Sequence, residues 1–109
     1  MILYGLKTCD ACRKARRALP DARFVDLREA EDLAERVPYW HASLGPRLLN
    51  KASTTWRGLS EEEKAQAESD PVALLLAHPT LIKRPVIEAD GAVLNGWTPQ
   101  TRAALAIEG

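Results

Sequence analysis

The first 27 residues of the chain constrain its fold more than any other segment. Ile2–Gly5 is a short apolar run typical of a buried strand, residues 10–19 have the spacing of an amphipathic helix, and residues 23–27 form a second strand-like run. Two strands joined by one helix of this length pair in parallel, with a right-handed crossover. The segment therefore predicts an α/β fold that begins with a parallel strand pair.

The predicted first helix has one apolar face and one basic face. We expect the apolar face to pack inward; its residues are Ala11, Ala15, Ala18 and Leu19, with Cys12 beside them. The other face carries the basic run Arg13-Lys14-Ala15-Arg16-Arg17. Because 15 basic residues balance 15 acidic ones, we interpret this run as a solvated helix face and expect no direct binding of nucleic acid.

The middle of the chain, about residues 29–78, is predicted to be an all-helical insertion. Residues 29–49 have a helical pattern that is interrupted at Pro38 and at Gly45-Pro46, which predicts two or three short helices. Residues 51–59 are predicted to form a connecting loop. Helices are therefore expected on both sides of that loop.

Two capping signals predict the next helices of the insertion. Ser60 followed by Glu63 is a capping box that opens one helix. Asp70-Pro71 supplies an N-cap and a first-turn proline for a helix at residues 72–77. The insertion is thus expected to end close to residue 78.

The C-terminal part of the chain predicts a β-hairpin followed by a helix. Residues 85–89 and 92–94 are strand-like runs that flank the turn signal Asp90-Gly91. Thr98-Pro99 caps a last helix, whose inward-facing residues are expected to be Ala103, Ala104, Leu105 and Ile107. The order of elements predicts one domain, residues 1–109, with a thioredoxin-like fold: a mixed sheet plus the helical insertion.

The two cysteines of the chain form a Cys-x-x-Cys pair, Cys9 and Cys12, at the start of the predicted first helix. A helix N-terminus offers the positive end of the dipole and free backbone N–H groups, and both favour a thiolate. Cys9 is therefore the candidate nucleophile, and Cys12, one turn later, is the candidate resolving thiol. The alternative is that both are inert small apolar residues, but this motif between a strand and a helix favours redox chemistry.

A metal site has little support in the sequence. Zinc takes four ligands, and beyond the two cysteines the chain offers only His41 and His78, neither of which has the spacing of a zinc half-site. We expect no metal and no bound cofactor.

Hydropathy and the first residues of the chain favour a cytoplasmic protein. No apolar run approaches the roughly 20 residues that cross a bilayer, and the N-terminus lacks the basic and apolar regions of a secretory signal. Two cysteines this close in sequence do not form a stabilising long-range crosslink, so we expect them to be mostly reduced. We expect no membrane binding.

Arg84-Pro85 is a second candidate for the functional site. It precedes the first hairpin strand, where a thioredoxin-like fold places a cis proline across from the nucleophile. An arginine there could pair with the thiolate and bind an anionic substrate or a tripeptide carboxylate. A turn proline beside a solvated arginine is the alternative. Trp56 and Arg57, on the predicted loop, are further candidates for ligand contacts.

Four segments of the chain resemble one known family. They are residues 4–10, 48–50, 54–57 and 78–86, and the last contains the highly specific pattern His-Pro-x-Leu-Ile-x-Arg-Pro. Over nearly the whole chain they resemble the arsenate reductase (ArsC) family that uses glutaredoxin or glutathione, which also includes the Spx-type transcriptional regulators. Within it, the chain is most similar to the short arsenate-reductase-like proteins of YffB type, which are proposed glutathione-dependent thiol reductases.

The resemblance implies roles for individual residues. Cys9 corresponds to the nucleophile, and Arg84 corresponds to the arginine that binds the oxyanion and stabilises the thiolate. Pro85 corresponds to the cis proline. Glutathione is the expected co-substrate, with glutaredoxin or thioredoxin as alternative reductants, and Cys12 or glutathione is expected to resolve the adduct. The residues expected to bind substrate are Lys7, Thr8, Arg57, Arg84 and Pro85.

Two arginines of genuine arsenate reductases have no counterpart here. The family places one shortly after the Leu-Leu element and one after the hairpin, where this chain has Asn50-Lys51-Ala52 and Asn95-Gly96. Lys51 or Arg57 could compensate. Because arsenate carries up to two charges and favours several charge-assisted donors, we expect a physiological substrate other than arsenate.

A second interpretation is an Spx-like regulator. The pattern Cys9-x-x-Cys12-Arg13-Lys14-Ala15-Arg16 resembles the redox switch of those proteins. In this interpretation a Cys9–Cys12 disulfide controls binding to the RNA polymerase alpha subunit. The Thr-Thr-Trp-Arg segment favours the reductase instead, and from the end of the sequence at Gly109 we expect no charged C-terminal extension of the regulator type.

Overall fold

The computed structural model describes residues 1–106, which divide into two compact units. The first unit comprises Met1–Ala30 together with the chain from Arg84 onward. The second comprises Glu31–Lys83 and contains the predicted helical insertion. The helices are α1 (Asp10–Ala18), α2 (Leu33–Leu44), α3 (Thr54–Arg57), α4 (Glu61–Ser69), α5 (Pro71–Ala77) and α6 (Pro99–Ala104).

The first unit is built on a four-stranded mixed sheet, which confirms the predicted fold class. Its strands are β1 (Ile2–Gly5), β2 (Arg23–Asp26), β3 (Val86–Ala89) and β4 (Ala92–Asn95), in the spatial order β2-β1-β3-β4. β1 and β2 are parallel, whereas β3 is antiparallel to both of its neighbours. The predicted hairpin turn is present, and Asp90 and Gly91 both have positive φ there.

α1 packs on the sheet through the residues that face it. Leu3, Ala15 and Ile87 are fully buried at the centre of this core, and partly buried side chains, including Phe24 and Trp97, surround them. The helix buries Cys12 and Ala15, as predicted, but Ala18 is exposed. Leu19, the residue after Ala18, packs against this core instead.

α6 faces the sheet with different residues from those predicted. Ala103 and Ala104 are exposed, Leu105 is half-buried, and Ile107 lies outside the described residues. Thr101 is buried instead, because its hydroxyl donates to the Asn95 carbonyl oxygen at 3.2 Å and is therefore satisfied. The inward face of α6 thus begins at a polar residue with a local partner, whereas the two predicted alanines face outward.

α2 in the second unit is longer than its proline suggested. The predicted break at Pro38 is wrong, because one continuous helix runs from Leu33 to Leu44. Pro38 removes a single backbone hydrogen bond, while Val37, Trp40 and Leu44 on the same helix are buried. The predicted break at Gly45-Pro46 is confirmed, since a 3₁₀ turn begins there.

The predicted loop at residues 51–59 contains a short helix, α3. Its N-cap is Ser53, whose hydroxyl accepts a hydrogen bond from the Trp56 backbone N–H at 3.1 Å. A serine three residues before Trp56 was the available signal, but the four-residue helix is too short to show a periodic pattern. Both capping signals in the following segment are confirmed: the Ser60/Glu63 capping box opens α4, and Asp70 caps α5.

A buried carboxylate, Asp26, holds the turn between β1 and α1. Its oxygens accept hydrogen bonds from the Lys7 backbone N–H at 3.2 Å and from the backbone and guanidinium of Arg28. Burial raises the pKa of this carboxyl, but the hydrogen bonds and the charge of Arg28 outweigh it and lower the pKa to about 2. Asp26 therefore fixes the backbone that leads into Cys9.

Asp26 is expected to make the free energy of unfolding fall under acid conditions. Its pKa when folded, about 2, is below its ordinary value of 3.8, so its stabilising effect is complete above pH 3.8 and is lost as the pH falls toward 2. Urea unfolding across this range measures the slope. Asp26→Asn should flatten the slope and cost about 1–2 kcal/mol near neutral pH; parallel curves for the two proteins would contradict the assignment.

Candidate active site at the start of the first helix

Cys9 is the N-cap residue of α1, as the sequence predicts. Its backbone is extended, with φ −84° and ψ 127°, its carbonyl accepts from the Arg13 backbone N–H at 2.9 Å, and its own N–H donates to the Leu6 carbonyl at 3.1 Å. The thiol is half-buried. It therefore lies where the unpaired N–H groups and the positive end of the helix dipole favour an anion.

The surroundings of the Cys9 sulfur favour its thiolate. Partial burial raises the pKa of the thiol, but hydrogen bonds from the backbone N–H and thiol of Cys12 and from the Arg84 guanidinium, together with the Arg84 charge, lower it below its ordinary value overall. Cys9 thus combines partial access to solvent with a stabilised negative charge. These are the properties of a nucleophilic cysteine.

Cys12 has the opposite character. Its side chain is completely buried, and burial, followed by the hydrogen bond and charge of Cys9, raises the pKa of its thiol to about 12, although a hydrogen bond with the Leu6 backbone and the charge of Arg84 act in the other direction. The thiol therefore stays protonated at neutral pH. In this state it is a hydrogen-bond donor to Cys9.

Gly5, at the end of β1, makes room for the Cys12 sulfur. A Cβ atom at this position would overlap that sulfur and lie 3.2 Å from the Cys12 Cβ atom. Gly5 is itself buried in the sheet, so no side chain could turn away into solvent. A glycine is therefore required for close approach here, and its backbone does not adopt positive φ.

The sheet register brings Arg84-Pro85 beside the start of the cysteine loop. Tyr4 of β1 pairs with Val86 of β3 in an antiparallel register, so the N-terminal end of β3 lies beside the end of β1 that leads to Cys9. The Arg84–Pro85 peptide bond is cis, as predicted, and Pro85 is buried. Arg84 is half-buried and contacts the Cys9 sulfur.

Lys7 and Thr8, predicted to bind substrate, lie on the exposed loop before Cys9. The Lys7 ammonium is 3.2 Å from a carboxylate oxygen of Glu29, so it is already paired. The Thr8 carbonyl accepts a hydrogen bond from the Arg13 guanidinium at 3.0 Å. Both residues frame the nucleophile, and Thr8 contributes its backbone to the link with α1.

Arg57, the other predicted contact, belongs to the second unit, where it ends α3 and is exposed. The adjacent Trp56 ring has the Lys51 and Lys64 ammonium groups at 5.4 and 5.9 Å from its centroid. The hydroxyls of Thr55 and Thr80 form a hydrogen bond of 2.8 Å within this unit. Two of the segments that carry the family resemblance are therefore in contact.

Neither histidine is part of a metal cluster in the part of the chain that the structure describes. No group of three or more His, Cys, Asp or Glu side chains that could hold a metal ion occurs among residues 1–106. His78 bonds through Nε2 to a Glu63 carboxylate oxygen at 2.8 Å, and His41 is half-buried on α2.

Gly5, Leu6 and Asp26 contribute to the site but were absent from the sequence prediction. The Leu6 backbone N–H acts on the Cys12 sulfur, and Asp26 binds the backbone of Lys7. The only advance signal was the small residue at Gly5 before a cysteine loop. Leu6 acts through a backbone atom, which leaves no trace in residue type, and the Asp26 carboxylate binds a backbone N–H 19 residues away, which no local pattern indicates.

We expect alkylation to distinguish the two cysteines sharply. At about pH 7, iodoacetamide should label Cys9 at least about 100-fold faster than Cys12, because Cys12 is buried and its pKa is raised to about 12 whereas the pKa of Cys9 is lowered. Peptide mass spectrometry after timed quenching gives both rates. In urea the rates should converge; similar rates in the folded protein would refute the assignment.

Comparison with known proteins identifies the family. A profile of the ArsC family matches residues 4–105. The chain belongs to the ArsC family. An uncharacterised protein of Haemophilus influenzae is 39% identical over 106 residues, which cover 87% of this chain and 89% of that protein.

Solved structures of ArsC-family relatives share the fold. A YffB protein superposes with a TM-score of 0.84 at 39% identity, covering 94% of this chain and 96% of that one. An arsenate reductase (ArsC) related protein from Brucella melitensis gives a TM-score of 0.73 at 35% identity, covering 97% and 94%. The expected resemblance to YffB-type arsenate-reductase-like proteins is therefore confirmed.

Across residues 1–106, every helix is too short or too polar to traverse a lipid bilayer. The longest is α2, from Leu33 to Leu44.

Proposed function

We propose that this ArsC-family protein is a cytoplasmic thiol-dependent reductase in which the Cys9 thiolate attacks an oxidised sulfur. The observation that carries the proposal is the convergence of three donors on the Cys9 sulfur: the Cys12 backbone N–H, the Cys12 thiol and the Arg84 guanidinium. Such preorganised donors stabilise negative charge wherever it develops on or next to this sulfur.

The reaction is a pair of thiol–disulfide exchanges. The Cys9 thiolate attacks one sulfur of a glutathione mixed disulfide; a bond forms between Cys9 and the glutathione sulfur, the original S–S bond breaks, and the substrate leaves as a thiolate that takes a proton from water. A second glutathione, as its thiolate, then attacks the sulfur bound to Cys9, which releases glutathione disulfide and restores the Cys9 thiolate. In the net reaction one free glutathione thiol is oxidised to the disulfide level and the substrate sulfur is reduced from the disulfide to the thiol.

An external thiol is the better candidate to resolve the Cys9 adduct. Cys12 is completely buried and the pKa of its thiol is raised to about 12, so it supplies almost no thiolate for an attack. We therefore propose that Cys12 acts as a donor to Cys9, and that glutathione, glutaredoxin or thioredoxin performs the resolving step.

Arg84 is well placed for a singly charged leaving group and less so for arsenate. It is the one guanidinium that acts on the Cys9 sulfur within the described residues of the first unit, and Lys7 is already paired with Glu29. Arsenate, with up to two charges, favours several such donors. A disulfide substrate therefore fits the site better.

A substrate panel tests the proposal. The reduced protein is supplied with glutathione, glutathione reductase and NADPH, and NADPH loss is followed with a glutathionylated peptide, hydroxyethyl disulfide or arsenate as the oxidant. Parallel reactions contain glutaredoxin or thioredoxin with its reductase. We expect turnover of the mixed disulfides above that of arsenate; no turnover with any oxidant and reductant would refute the reductase.

The Spx-like regulator is the second candidate, and one contact favours it. The Cys12 thiol is hydrogen-bonded to the Cys9 sulfur, so the two sulfurs are already neighbours in the reduced protein. Oxidation by a peroxide could then join them in a disulfide. Retention of the RNA polymerase alpha subunit by the oxidised protein, lost in Cys12→Ala, together with no turnover in the panel, would establish this function instead.

A further inference from the structure

A cavity on the first unit lies between α1 and β2. Its volume is about 520 Å³, and Cys9 is not among its lining residues. Its lining combines fully or partly buried apolar residues with three exposed arginines. The apolar residues that matter here are Leu3, Leu19 and Phe24, and the arginines are Arg13, Arg16 and Arg17.

Arg16 is held in place by the aromatic ring below it. Its guanidinium carbon is 4.1 Å from the centroid of the Phe24 ring. Stacking uses the flat face of the guanidinium and leaves its N–H edges available to an anion. The Arg16 side chain is therefore already ordered in the free protein, so binding a ligand loses less conformational entropy there.

The cavity has an excess of positive charge. Arg13 is 3.5 Å from an Asp10 carboxylate oxygen and also donates to the Thr8 carbonyl. Neither Arg16 nor Arg17 has a carboxylate partner among residues 1–106. Three guanidiniums with one carboxylate partner leave a local charge of about two, which favours a doubly charged anion.

The apolar lining residues distinguish this cavity from an ordinary solvated helix face. Basic residues in a last helical turn commonly offset the negative end of the dipole, and such a role needs no cavity. Here the arginines line a cavity together with apolar residues, and the volume of the cavity lies within the roughly 300–1,000 Å³ of small-molecule sites. The ligand must therefore combine an organic body with an anionic group.

We propose that this arginine pocket binds a small organic phosphomonoester. A phosphomonoester carries about −1.5 to −2 charges near neutral pH, which matches the local excess, and its oxygens accept the paired N–H groups of arginine. The organic body packs on Leu3, Leu19 and Phe24. Nothing in this binding depends on thiol chemistry.

Calorimetric titration with AMP, glucose 6-phosphate and phenyl phosphate tests the pocket, with adenosine as the uncharged match for AMP. We expect saturable binding of at least one phosphomonoester and none of adenosine. Arg17→Ala and Arg16→Ala/Arg17→Ala should weaken binding at least tenfold. Lys14→Ala is the matched control, because Lys14 is an exposed basic residue of α1 that does not line the cavity. Cys9→Ser should bind as the wild type does.

Three results would overturn the proposal. One is the absence of saturable binding for all three phosphomonoesters. Another is equal weakening by Lys14→Ala, which would indicate general electrostatic attraction. The third is affinity for oligonucleotides that rises with their length, which would indicate a nucleic-acid surface. Circular dichroism checks that the double variant is folded. If the double variant is unfolded, Arg17→Ala alone serves as the test, because it keeps the Arg16–Phe24 contact.

Discussion

Cys9→Ser is expected to lower turnover of the mixed disulfide by at least about 10³-fold. A serine hydroxyl is almost entirely protonated near neutral pH, and the donors that stabilise a thiolate at this position cannot ionise it. The measurement is the NADPH-coupled rate with glutathione, at a substrate concentration that saturates the wild-type protein. Because serine is close in size to cysteine at this half-buried position, the fold should persist.

Cys12→Ser is the matched control for this prediction. The serine hydroxyl can still donate to the Cys9 thiolate, so turnover should fall less than about tenfold if an external thiol resolves the adduct. A loss as large as that of Cys9→Ser would instead assign the resolving step to Cys12. Turnover that survives in Cys9→Ser would disprove Cys9 as the nucleophile.

Arg84→Ala is expected to reduce kcat/KM by about 10²–10³-fold and to raise the pKa of Cys9. Arg84 donates to the Cys9 sulfur and contributes a full positive charge beside it, and both lower the pKa of the thiol. Alkylation rates measured against pH give the pKa, and the coupled assay gives kcat/KM. The two effects should appear together.

Arg84→Lys and Arg23→Ala are the controls for the arginine prediction. Lysine keeps the charge and loses the planar fork of donors, so the pKa of Cys9 should move less than in Arg84→Ala. Arg23 is an exposed arginine at the start of β2, and its removal should change neither quantity. An unaltered Cys9 pKa in Arg84→Ala would rule out the role assigned to this guanidinium.

The sheet of this protein could be predicted because its signals are local and consistent. Ile2–Gly5 forms β1 within the predicted limits, and the Asp90-Gly91 turn lies between two strands as expected. Two short apolar runs on either side of a two-residue Asp-Gly turn are sufficient to specify a short hairpin. The parallel pairing of β1 with β2 follows from the helix between them.

The errors in the helical unit have a tertiary cause. Pro38 breaks an isolated helix, but Trp40 and Val37 are completely buried, and this packing outweighs one lost hydrogen bond. α3 is only one turn long, and the Ser53 hydroxyl and the Thr55–Thr80 contact hold it. Sequence periodicity contains neither kind of information.

The reactive side chains of the candidate site could be predicted from the sequence, whereas the backbone contacts and close approaches around Cys12 could not. Cys9 and Arg84 carry distinctive chemistry, so motif and resemblance identified both. The Leu6 N–H forms a hydrogen bond with the Cys12 sulfur, and the missing side chain of Gly5 leaves room for that sulfur. Neither feature involves a reactive side chain. Cys12, predicted as a possible resolving thiol, therefore has surroundings that a spacing argument could not anticipate.

The contact between Gly5 and Cys12 implies that these two positions do not evolve independently. The sulfur of Cys12 occupies the volume that a side chain at position 5 would need. A larger residue at position 5 becomes tolerable only after position 12 has become smaller, so substitutions must occur in that order. Among relatives that keep the nucleophile, the residue at position 12 should therefore predict whether position 5 is still glycine.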